Sequence, residues 1–247
     1  MMQAMIFAAG LGTRLKPLTD TMPKAMVPVA GEPLIKRVVM KLKEAGAERI
    51  VVNVHHFAGQ ITSYLAANDN FGTDIRISDE TDMLLDTGGG LKKAMPLFDN
   101  TKPVLIHNVD ILSNVSLKEF YDANRQYGAT LLVSKRKTKR YLLFDSEMRL
   151  VGWKNTETGE VRSPYRNLSA EDCRMYAFSG IHIISPHTAS LMQDMPDKFG
   201  IMDFYLSCCD KTVIHGCCKE DLMLMDVGKA ETLKDAETFL NRIENKE

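Results

Sequence analysis

Two glycines and two cationic side chains lie close together near the start of the sequence. The run Ala9-Gly10-Leu11-Gly12-Thr13 follows an apolar stretch and leads directly into Arg14, and Lys24 comes ten residues later. A turn of this kind offers backbone N–H groups to phosphate oxygens, and both cations lie within reach of the same charge. We therefore predict that residues 9–13 bind the phosphates of a nucleoside triphosphate, with Arg14 and Lys24 as the catalytic cations of phosphoryl chemistry.

This turn matches neither of two common phosphate-binding motifs. Leu15 stands where a dinucleotide fingerprint has its third glycine, and the sequence contains no Gly-x-x-x-x-Gly-Lys-Ser/Thr run. Taken alone, the turn would be ordinary loop geometry and Lys24 would be a solvated lysine. Their combination favours a phosphate site.

Two aspartates each follow an apolar run that is typical of a buried strand. Asp110 ends the segment His107-Asn108-Val109-Asp110, and Asp226 ends Leu224-Met225-Asp226. Carboxylates at the carboxyl ends of strands in an open α/β sheet face the crevice where ligands bind. Either aspartate alone would more commonly cap a helix. As a pair beside a phosphate turn, Asp110 and Asp226 predict a Mg²⁺ site completed by phosphate and water.

A third candidate segment is Asp86-Thr87-Gly88-Gly89-Gly90, which the sequence predicts as a turn ahead of a short helix. Three consecutive glycines cost backbone entropy, so something is expected to approach this backbone closely. A flat ring such as a nucleobase is one candidate for that neighbour. A merely flexible loop is an equal alternative on local grounds.

The elements that must position these residues alternate along the first half of the chain. Apolar runs predict strands and helical spacing predicts helices in turn, which favours right-handed βαβ units. The predicted strands are 2–9, 49–54, 74–78, 103–108 and 129–134, and the predicted helices are 33–45, 60–67, 90–97 and 117–127. We predict an α/β fold with a Rossmann-like, doubly wound, mixed but mostly parallel sheet.

The second half has a different pattern. Segments 141–145 and 150–154 flank Ser146-Glu147 and predict a hairpin, so a small antiparallel lobe is expected on the substrate side. Residues 155–173 are polar and indicate a surface excursion. The remaining predicted elements are strands at 175–185, 212–217 and 222–227 and helices at 187–195, 202–209 and 230–243. One domain, 1–247, is the economical interpretation.

The bulk composition excludes several classes of function. The 247 residues are 45% hydrophobic and 26% charged with a formal net charge of −1, which gives no field for nucleic acid or an anionic membrane surface. No apolar run is long enough to span a bilayer, and no signal peptide is expected at the N-terminus. Five cysteines without scaffold spacing favour a reduced, cytoplasmic setting.

Three further features are assigned to structure rather than chemistry. Cys208-Cys209 and Cys217-Cys218 lie near His215 but lack the spacing of a zinc site, so buried thiols are favoured. The basic run 135–140 is isolated, which favours a solvated turn over a nucleic-acid patch. His55-His56 stands at a predicted strand end without a visible catalytic partner.

The motifs together resemble a known family. The residues that carry the resemblance are Ala8-Ala9-Gly10-Leu11-Gly12-Thr13-Arg14-Leu15, Pro17-Leu18-Thr19, Pro23-Lys24, Val27-Pro28-Val29, Gly31 and Pro33-Leu34. They resemble the N-terminal signature of sugar-1-phosphate nucleotidylyltransferases, the NDP-sugar pyrophosphorylases. Later segments are similar too: Asn108-Val109-Asp110, Phe178-Ser179-Gly180-Ile181, Asp226-Val227-Gly228 and, more weakly, Trp153-Lys154-Asn155.

The resemblance implies a reaction and a set of roles. The family joins a nucleoside triphosphate, here UTP or GTP, to a sugar 1-phosphate and releases pyrophosphate with the help of Mg²⁺. It implies that Asp86, Thr87 and Gly88 contact the nucleotide, and that Asn108, Lys154 and Gly180 contact the sugar phosphate. Residues 1–134 would be the nucleotide-binding half and residues 135–247 the sugar-phosphate half. The β-helix domain that some members carry is not expected.

Within the family, the chain looks most similar to short bacterial uridylyltransferases acting on N-acetylmuramate 1-phosphate. It differs from them in having Asp86 in place of glutamate and Val109 in place of glycine. A mannose-1-phosphate guanylyltransferase is the nearest alternative. A cytidylyltransferase for a phospho-alcohol, using Trp153, Tyr165 or Tyr176 on a quaternary ammonium, and a non-catalytic nucleotide-sugar-binding protein stay open as well.

Overall fold

The structure is a computed structural model and describes residues 2–244. The strands are β1 (Met2–Phe7), β2 (Pro28–Val29), β3 (Glu32–Pro33), β4 (Ala47–Val54), β5 (Asp74–Asp79), β6 (Val104–Asn108), β7 (Ile111–Ser113), β8 (Ala129–Ser134), β9 (Arg140–Phe144), β10 (Leu150–Asn155), β11 (Val161–Arg162), β12 (Arg174–Ile184), β13 (Ile214–Cys218) and β14 (Leu224–Asp226). The helices are α1 (Leu34–Glu44), α2 (Ala58–Ala67), α3 (Asp86–Ala94), α4 (Leu117–Asn124), α5 (Pro186–Ser190), α6 (Ile201–Cys208) and α7 (Ala230–Glu244).

The main sheet has the strand order β11-β10-β9-β12-β6-β1-β4-β5, and β8 pairs with both β12 and β13. Strands β6, β1, β4 and β5 are parallel to one another, whereas β12 is antiparallel to β6 and to β8. Strand β1 is buried along its whole length because neighbouring strands and helices cover it from all sides. The predicted α/β class with a mixed, mostly parallel sheet is confirmed.

The predicted hairpin is confirmed as well. β9 and β10 pair antiparallel, with Leu150 opposite Phe144 and Lys154 opposite Tyr141. β11 adds to β10, and the first residues of β12 pair with β9, so these strands form an antiparallel lobe that continues the main sheet. The excursion 155–173 is mostly exposed, as its polar sequence predicts.

The helices form where the sequence provides an apolar stripe and a start signal. Helix α1 buries Leu34, Ile35, Val38, Val39 and Leu42, which recur at the three- and four-residue spacing of one helix face. Ser116 caps α4 by accepting a hydrogen bond from the Glu119 N–H at 3.3 Å. Ser185 caps α5 in the same way through Thr188 N–H. Two clusters of buried apolar side chains form the hydrophobic core.

The prediction for the glycine segment 86–90 is wrong in one respect. It is not a turn ahead of a helix, because α3 begins at Asp86 and the glycines form its first turns. The reason is packing: a Cβ on Gly88 would overlap the Phe199 ring, and one on Gly89 would overlap the Asp197 carbonyl oxygen. The element entering this space is the protein's own segment before α6 rather than a ligand.

No helix among residues 2–244 is long and apolar enough to cross a membrane. All five cysteines are free thiols, and burial raises the pKa of Cys208 to about 12 and of Cys209 to about 11. The described residues contain no group of three or more His, Cys, Asp or Glu side chains arranged to hold a metal ion.

Candidate active site

A cleft of about 380 Å³ opens at the edge of the sheet where β1, β4 and β6 end. This edge is where ligands bind in open α/β sheets, because strand ends and loops converge there. Seven of the predicted site residues line the cleft: Ala9, Gly10, Lys24, Asp86, Thr87, Asn108 and Asp110. Residues from distant parts of the sequence thus meet at one place.

The turn after β1 presents free backbone donors. Gly12 adopts a left-handed conformation (φ +64°), and its carbonyl oxygen accepts a hydrogen bond from the buried Thr19 hydroxyl at 2.8 Å. Across residues 2–244, no acceptor lies within hydrogen-bond distance of the N–H groups of residues 10–14. Adjacent unpaired N–H groups bind anions. Leu11, Gly12 and Thr13 do not line the cleft themselves but directly follow Ala9 and Gly10, which do, and they form a turn with free N–H groups.

Gly228 marks a point where three charged side chains converge. A Cβ placed on this buried glycine would lie 2.6 Å from Asp226 Oδ1, 2.9 Å from Arg14 Nη2 and 3.0 Å from Lys24 Nζ. The Gly228 N–H donates to Asp226 Oδ1 at 2.7 Å. The sequence motif contains this glycine, but its tertiary role could not be read from the sequence. A larger residue here would have to displace the side chains of Asp226, Arg14 and Lys24.

Asp110 lies on the other side of Lys24 and forms an ion pair with its ammonium group. The two side chains are 14% and 12% exposed, so they remain reachable from the cleft. β14 pairs antiparallel with β7, and the Val227 N–H donates to the Asp110 carbonyl oxygen at 2.9 Å. This pairing brings Asp226 beside Asp110.

The donor set of these two aspartates fits a magnesium ion. Lys24 contacts Oδ2 of Asp110, and the Gly228 N–H donates to Oδ1 of Asp226, so within the described part of the chain the other carboxylate oxygen of each residue has no hydrogen bond. Mg²⁺ in nucleotide enzymes is commonly held by one or two carboxylates together with phosphate and water. The two aspartates therefore fit a magnesium ion whose remaining ligands are phosphate and water oxygens.

The segment at the start of α3 borders the opposite wall. Asp86 is exposed and adopts φ +59°, and the Thr87 hydroxyl accepts a hydrogen bond from the Ile201 N–H at 2.9 Å. Gly88 is buried, and its N–H donates to the Phe199 carbonyl oxygen at 2.9 Å. Asp86 and Thr87 are thus the members of this segment that face the cleft, whereas Gly88 has no free donor.

Two residues that the sequence did not single out connect the phosphate turn to this wall. Asn53 Oδ1 accepts from the Ala8 N–H at 2.8 Å, and Asn53 Nδ2 donates to Glu80 Oε1 at 2.7 Å. Glu80 Oε2 accepts from the Leu85 N–H at 3.1 Å. Glu80 is fully buried, and this burial raises its pKa while the two hydrogen bonds act in the opposite direction.

The predicted sugar-side residues divide into two groups. Gly180 has φ +75°, and a Cβ there would lie 2.8 Å from Asn108 Nδ2, so these two residues are in contact beside the cleft. Lys154 is half-buried on β10, in the antiparallel lobe, and does not line the cleft. Its contact with a sugar phosphate stays a prediction.

An open turn, converging cations and paired aspartates thus lie together at one edge of the sheet of this α/β protein. The family model described as "Nucleotidyl transferase" matches residues 3–142, more than half of the chain. The protein belongs to this nucleotidyl transferase family.

Curated relatives are similar over part of the chain. An N-acetylmuramate alpha-1-phosphate uridylyltransferase from Caulobacter vibrioides is 47% identical over 109 residues, which are 43% of this chain and 45% of the relative. The protein of that name from Neisseria meningitidis serogroup B is 42% identical over 114 residues, 46% of this chain and 49% of the relative. The chain thus matches slightly less than half the length of either relative.

The fold is shared with a solved structure across nearly the whole chain. A putative glucose-1-phosphate thymidylyltransferase from Bacillus anthracis superposes with a TM-score of 0.80, covering 96% of this chain and 94% of that one. The sequence identity is 19%, so this similarity concerns the fold alone.

Proposed function

We propose that this protein transfers the nucleotidyl group of a nucleoside triphosphate to a sugar 1-phosphate, releasing pyrophosphate. The observation that carries the proposal is the convergence of Arg14, Lys24 and Asp226 around Gly228 beside a turn with free N–H groups. A sugar phosphate and a triphosphate repel one another, so bringing them together requires concentrated positive charge. Nucleotidyl transfer needs that arrangement and no covalent intermediate on the protein.

The chemistry balances without an added reactant. A phosphate oxygen of the sugar 1-phosphate attacks the α-phosphorus in line, the new P–O bond forms, and the bond to the β-phosphate oxygen breaks to release pyrophosphate. In this proposal Arg14 and the turn at residues 10–13 bind the triphosphate. Lys24 lies between the carboxylate of Asp110 and the point near Gly228, where it neutralises charge shared by both reactants.

Asp110 and Asp226 are the residues proposed to hold Mg²⁺, which would neutralise phosphate charge when bound. Ala9 and Gly10 would contact the phosphates, and Asp86 and Thr87 the nucleoside. Asn108 and Gly180 would contact the sugar phosphate, with Lys154 as a further predicted contact.

The division into a nucleotide half, 1–134, and a sugar half, 135–247, is part of the same proposal. The preferred substrates are UTP and N-acetylmuramate 1-phosphate or a related hexose 1-phosphate, because uridylyltransferases for N-acetylmuramate 1-phosphate are 42–47% identical over 109–114 residues. A cytoplasmic location is part of the proposal too. It is supported by five free cysteines.

The experiment is a pyrophosphate-release assay over all pairs of five nucleoside triphosphates and several sugar 1-phosphates, with and without Mg²⁺. We expect the highest rate with UTP and N-acetylmuramate 1-phosphate, and loss of that rate when Mg²⁺ is omitted. The highest rate with GTP and mannose 1-phosphate would favour the guanylyltransferase alternative. Turnover with no pair, by protein that is folded, would contradict the proposal and favour a binding protein.

A further inference from the structure

A second cavity, of about 400 Å³, opens at the same edge of the sheet and has a strongly cationic lining. Lys135, Arg136 and Lys219 line it, together with a single acidic side chain, Glu220. Two of these cations belong to the basic run that follows β8, which the sequence suggested to be a solvated turn. The run is mostly exposed and lies outside helices and strands up to Lys139, as predicted, and its first two residues also border this cavity.

The topology places this cavity next to the sugar side of the active-site cleft. β12 is antiparallel to both β6 and β8, so β6 and β8 point the same way and end at the same edge. β6 ends at Asn108 beside Gly180, whereas β8 ends at Ser134 opposite Ala177, three residues farther along β12. Two strand spacings and this offset place the two strand ends about 14 Å apart, a gap that the long side chains at the end of β8 partly span.

Two contacts connect the cavity to the site. The Arg136 guanidinium donates to the Phe178 carbonyl oxygen at 3.0 Å, two residues before Gly180, which touches Asn108. Leu224 lines the cavity and lies two residues before Asp226 on β14. The cavity shares no lining residue with the cleft, but these contacts connect it to the side of the cleft where Asn108 and Gly180 lie, away from β1 and β4.

The positive charge in this cavity is only partly compensated, by Glu220 in the lining and by Glu119 next to Lys219. Within the described part of the chain, neither Lys135 nor Arg136 has a carboxylate within ion-pair distance. Lys219 lies 3.6 Å from the exposed Glu119 carboxylate and keeps its other donors. A cavity lined by three cations and one acidic side chain favours an anionic ligand group.

We propose that Lys135, Arg136 and Lys219 bind a carboxylate carried by the sugar, so that the enzyme selects an acidic sugar 1-phosphate over a neutral one. This inference rests on the proposed nucleotidyl transfer. The triphosphate is assigned to the turn after β1, on the other side of β6, so the extra anion must belong to the sugar substrate. An arginine fork beside lysines suits a planar carboxylate.

The test compares two sugars that differ in one group. N-acetylmuramate 1-phosphate is N-acetylglucosamine 1-phosphate with an added lactyl ether, which carries the carboxylate. We expect wild-type protein to have a higher kcat/KM for the acidic sugar. Arg136→Gln, and separately the double variant Lys135→Met/Lys219→Met, should lower the acidic-to-neutral ratio of kcat/KM by about ten- to a hundred-fold, mainly through KM.

The matched control is Lys137→Met, because Lys137 belongs to the same basic run, is exposed, and does not line the cavity. Its acidic-to-neutral ratio should equal that of wild type. The methyl ester of the acidic sugar should behave as the neutral sugar does with every variant. An arginine-specific contact would also show as a smaller loss in Arg136→Lys than in Arg136→Gln.

The outcomes separate this inference from the proposed function. Wild-type turnover with an unchanged sugar ratio in both cavity variants would overturn the inference and leave nucleotidyl transfer intact. Equal losses for the acidic and the neutral sugar would overturn it too, because a charge-selective contact must act on the ratio. Absence of wild-type turnover with every substrate pair would overturn the proposed function itself.

Discussion

Two glycine segments look alike in sequence and are used in different ways by the fold. Gly10 and Gly12 belong to a turn whose N–H groups are free, and among residues 2–244 nothing beyond the neighbouring residues lies within 4 Å of a Cβ built on Gly10. Gly88 and Gly89 lie inside α3, where the segment before α6 fills the space and the Phe199 carbonyl oxygen accepts their N–H groups. A glycine in the sequence predicts that another group lies close to the backbone, but not whether that group belongs to a ligand or to the protein itself.

The two segments are also physically connected. Asn53 accepts from the Ala8 N–H at the start of the first segment and donates to Glu80, whose Oε1 would lie 2.6 Å from a Cβ on Gly90. The two glycine segments are therefore the two ends of one hydrogen-bonded unit. One end is open to a ligand, and the other end is closed by the protein.

The largest effect is expected from removing a cation at the open end. Arg14→Met should lower kcat/KM for nucleotidyl transfer by about a hundred- to a thousand-fold, because the guanidinium neutralises charge on the reacting phosphates. Arg14 is exposed, so the free energy of unfolding should stay near the wild-type value. Steady-state kinetics and urea unfolding measure the two quantities.

Lys16→Met is the matched control for that variant, because Lys16 lies two residues away, is exposed and pairs with Asp20 at 2.9 Å. Its kcat/KM should stay within about two-fold of wild type, as expected for an exposed ion pair. Similar losses in both variants would mean that the turn responds to charge in general rather than to Arg14.

At the closed end, the next largest effect should be on stability. Gly88→Ala and Gly89→Ala each place a methyl group on occupied space, so the free energy of unfolding should fall by about 1–3 kcal/mol or more. Gly59→Ala in α2 is the control, since nothing lies within 4 Å of its Cβ. That substitution should instead raise stability by about 0.5–1 kcal/mol. An unchanged free energy of unfolding in Gly88→Ala would show that the packing of α3 against Phe199 has room for a methyl group.

The hydrogen bonds between the two ends should survive when the amide of Asn53 and the carboxylate of Glu80 are exchanged. In Glu80→Gln an amide N–H₂ must face one of two donors, Asn53 Nδ2 or the Leu85 N–H, at a cost of about 1–3 kcal/mol. Adding Asn53→Asp restores all three hydrogen bonds, because the new carboxylate accepts from Ala8 and from the new glutamine. The double variant should recover most of the lost free energy of unfolding, and its nucleotide KM should return close to the wild-type value. Additive losses would contradict the hydrogen-bond role.

The smallest effect is expected for Gly10→Ala, which separates ligand approach from folding. The free protein has room for the methyl group, so the free energy of unfolding should not fall. The methyl group would meet the bound phosphates, so the nucleotide KM should rise, by up to about ten-fold. A loss of stability with no change in KM would reverse the assignment of open and closed ends.

Sequence reasoning succeeded where a pattern is local or where several motifs had to meet at one edge of the sheet. The 3.6-residue spacing of α1 and the apolar run of β1 predicted those elements within a few residues. Lys24, Asp110 and Asp226 were expected together because strand ends converge in this fold, and the structure brings them together.

The rest depends on contacts that have no local signal. Asn53 and Glu80 become a pair only because β4 and β5 align in parallel, and Gly228 matters only because Arg14 and Lys24 arrive from another part of the chain. Likewise, the basic residues after β8 line a cavity because β13 ends beside them. These arrangements arise from tertiary contacts between distant segments, and no local sequence pattern predicts such contacts.

The central claim is that the open turn and the charges around Gly228 carry out nucleotidyl transfer. Phosphorus NMR of wild-type protein with UTP, Mg²⁺ and N-acetylmuramate 1-phosphate follows every phosphate at once. The account predicts that pyrophosphate and a UDP-sugar appear in equal amounts, while UTP and the sugar phosphate disappear together. Pyrophosphate with UMP and no UDP-sugar, or no change in any resonance, would contradict it.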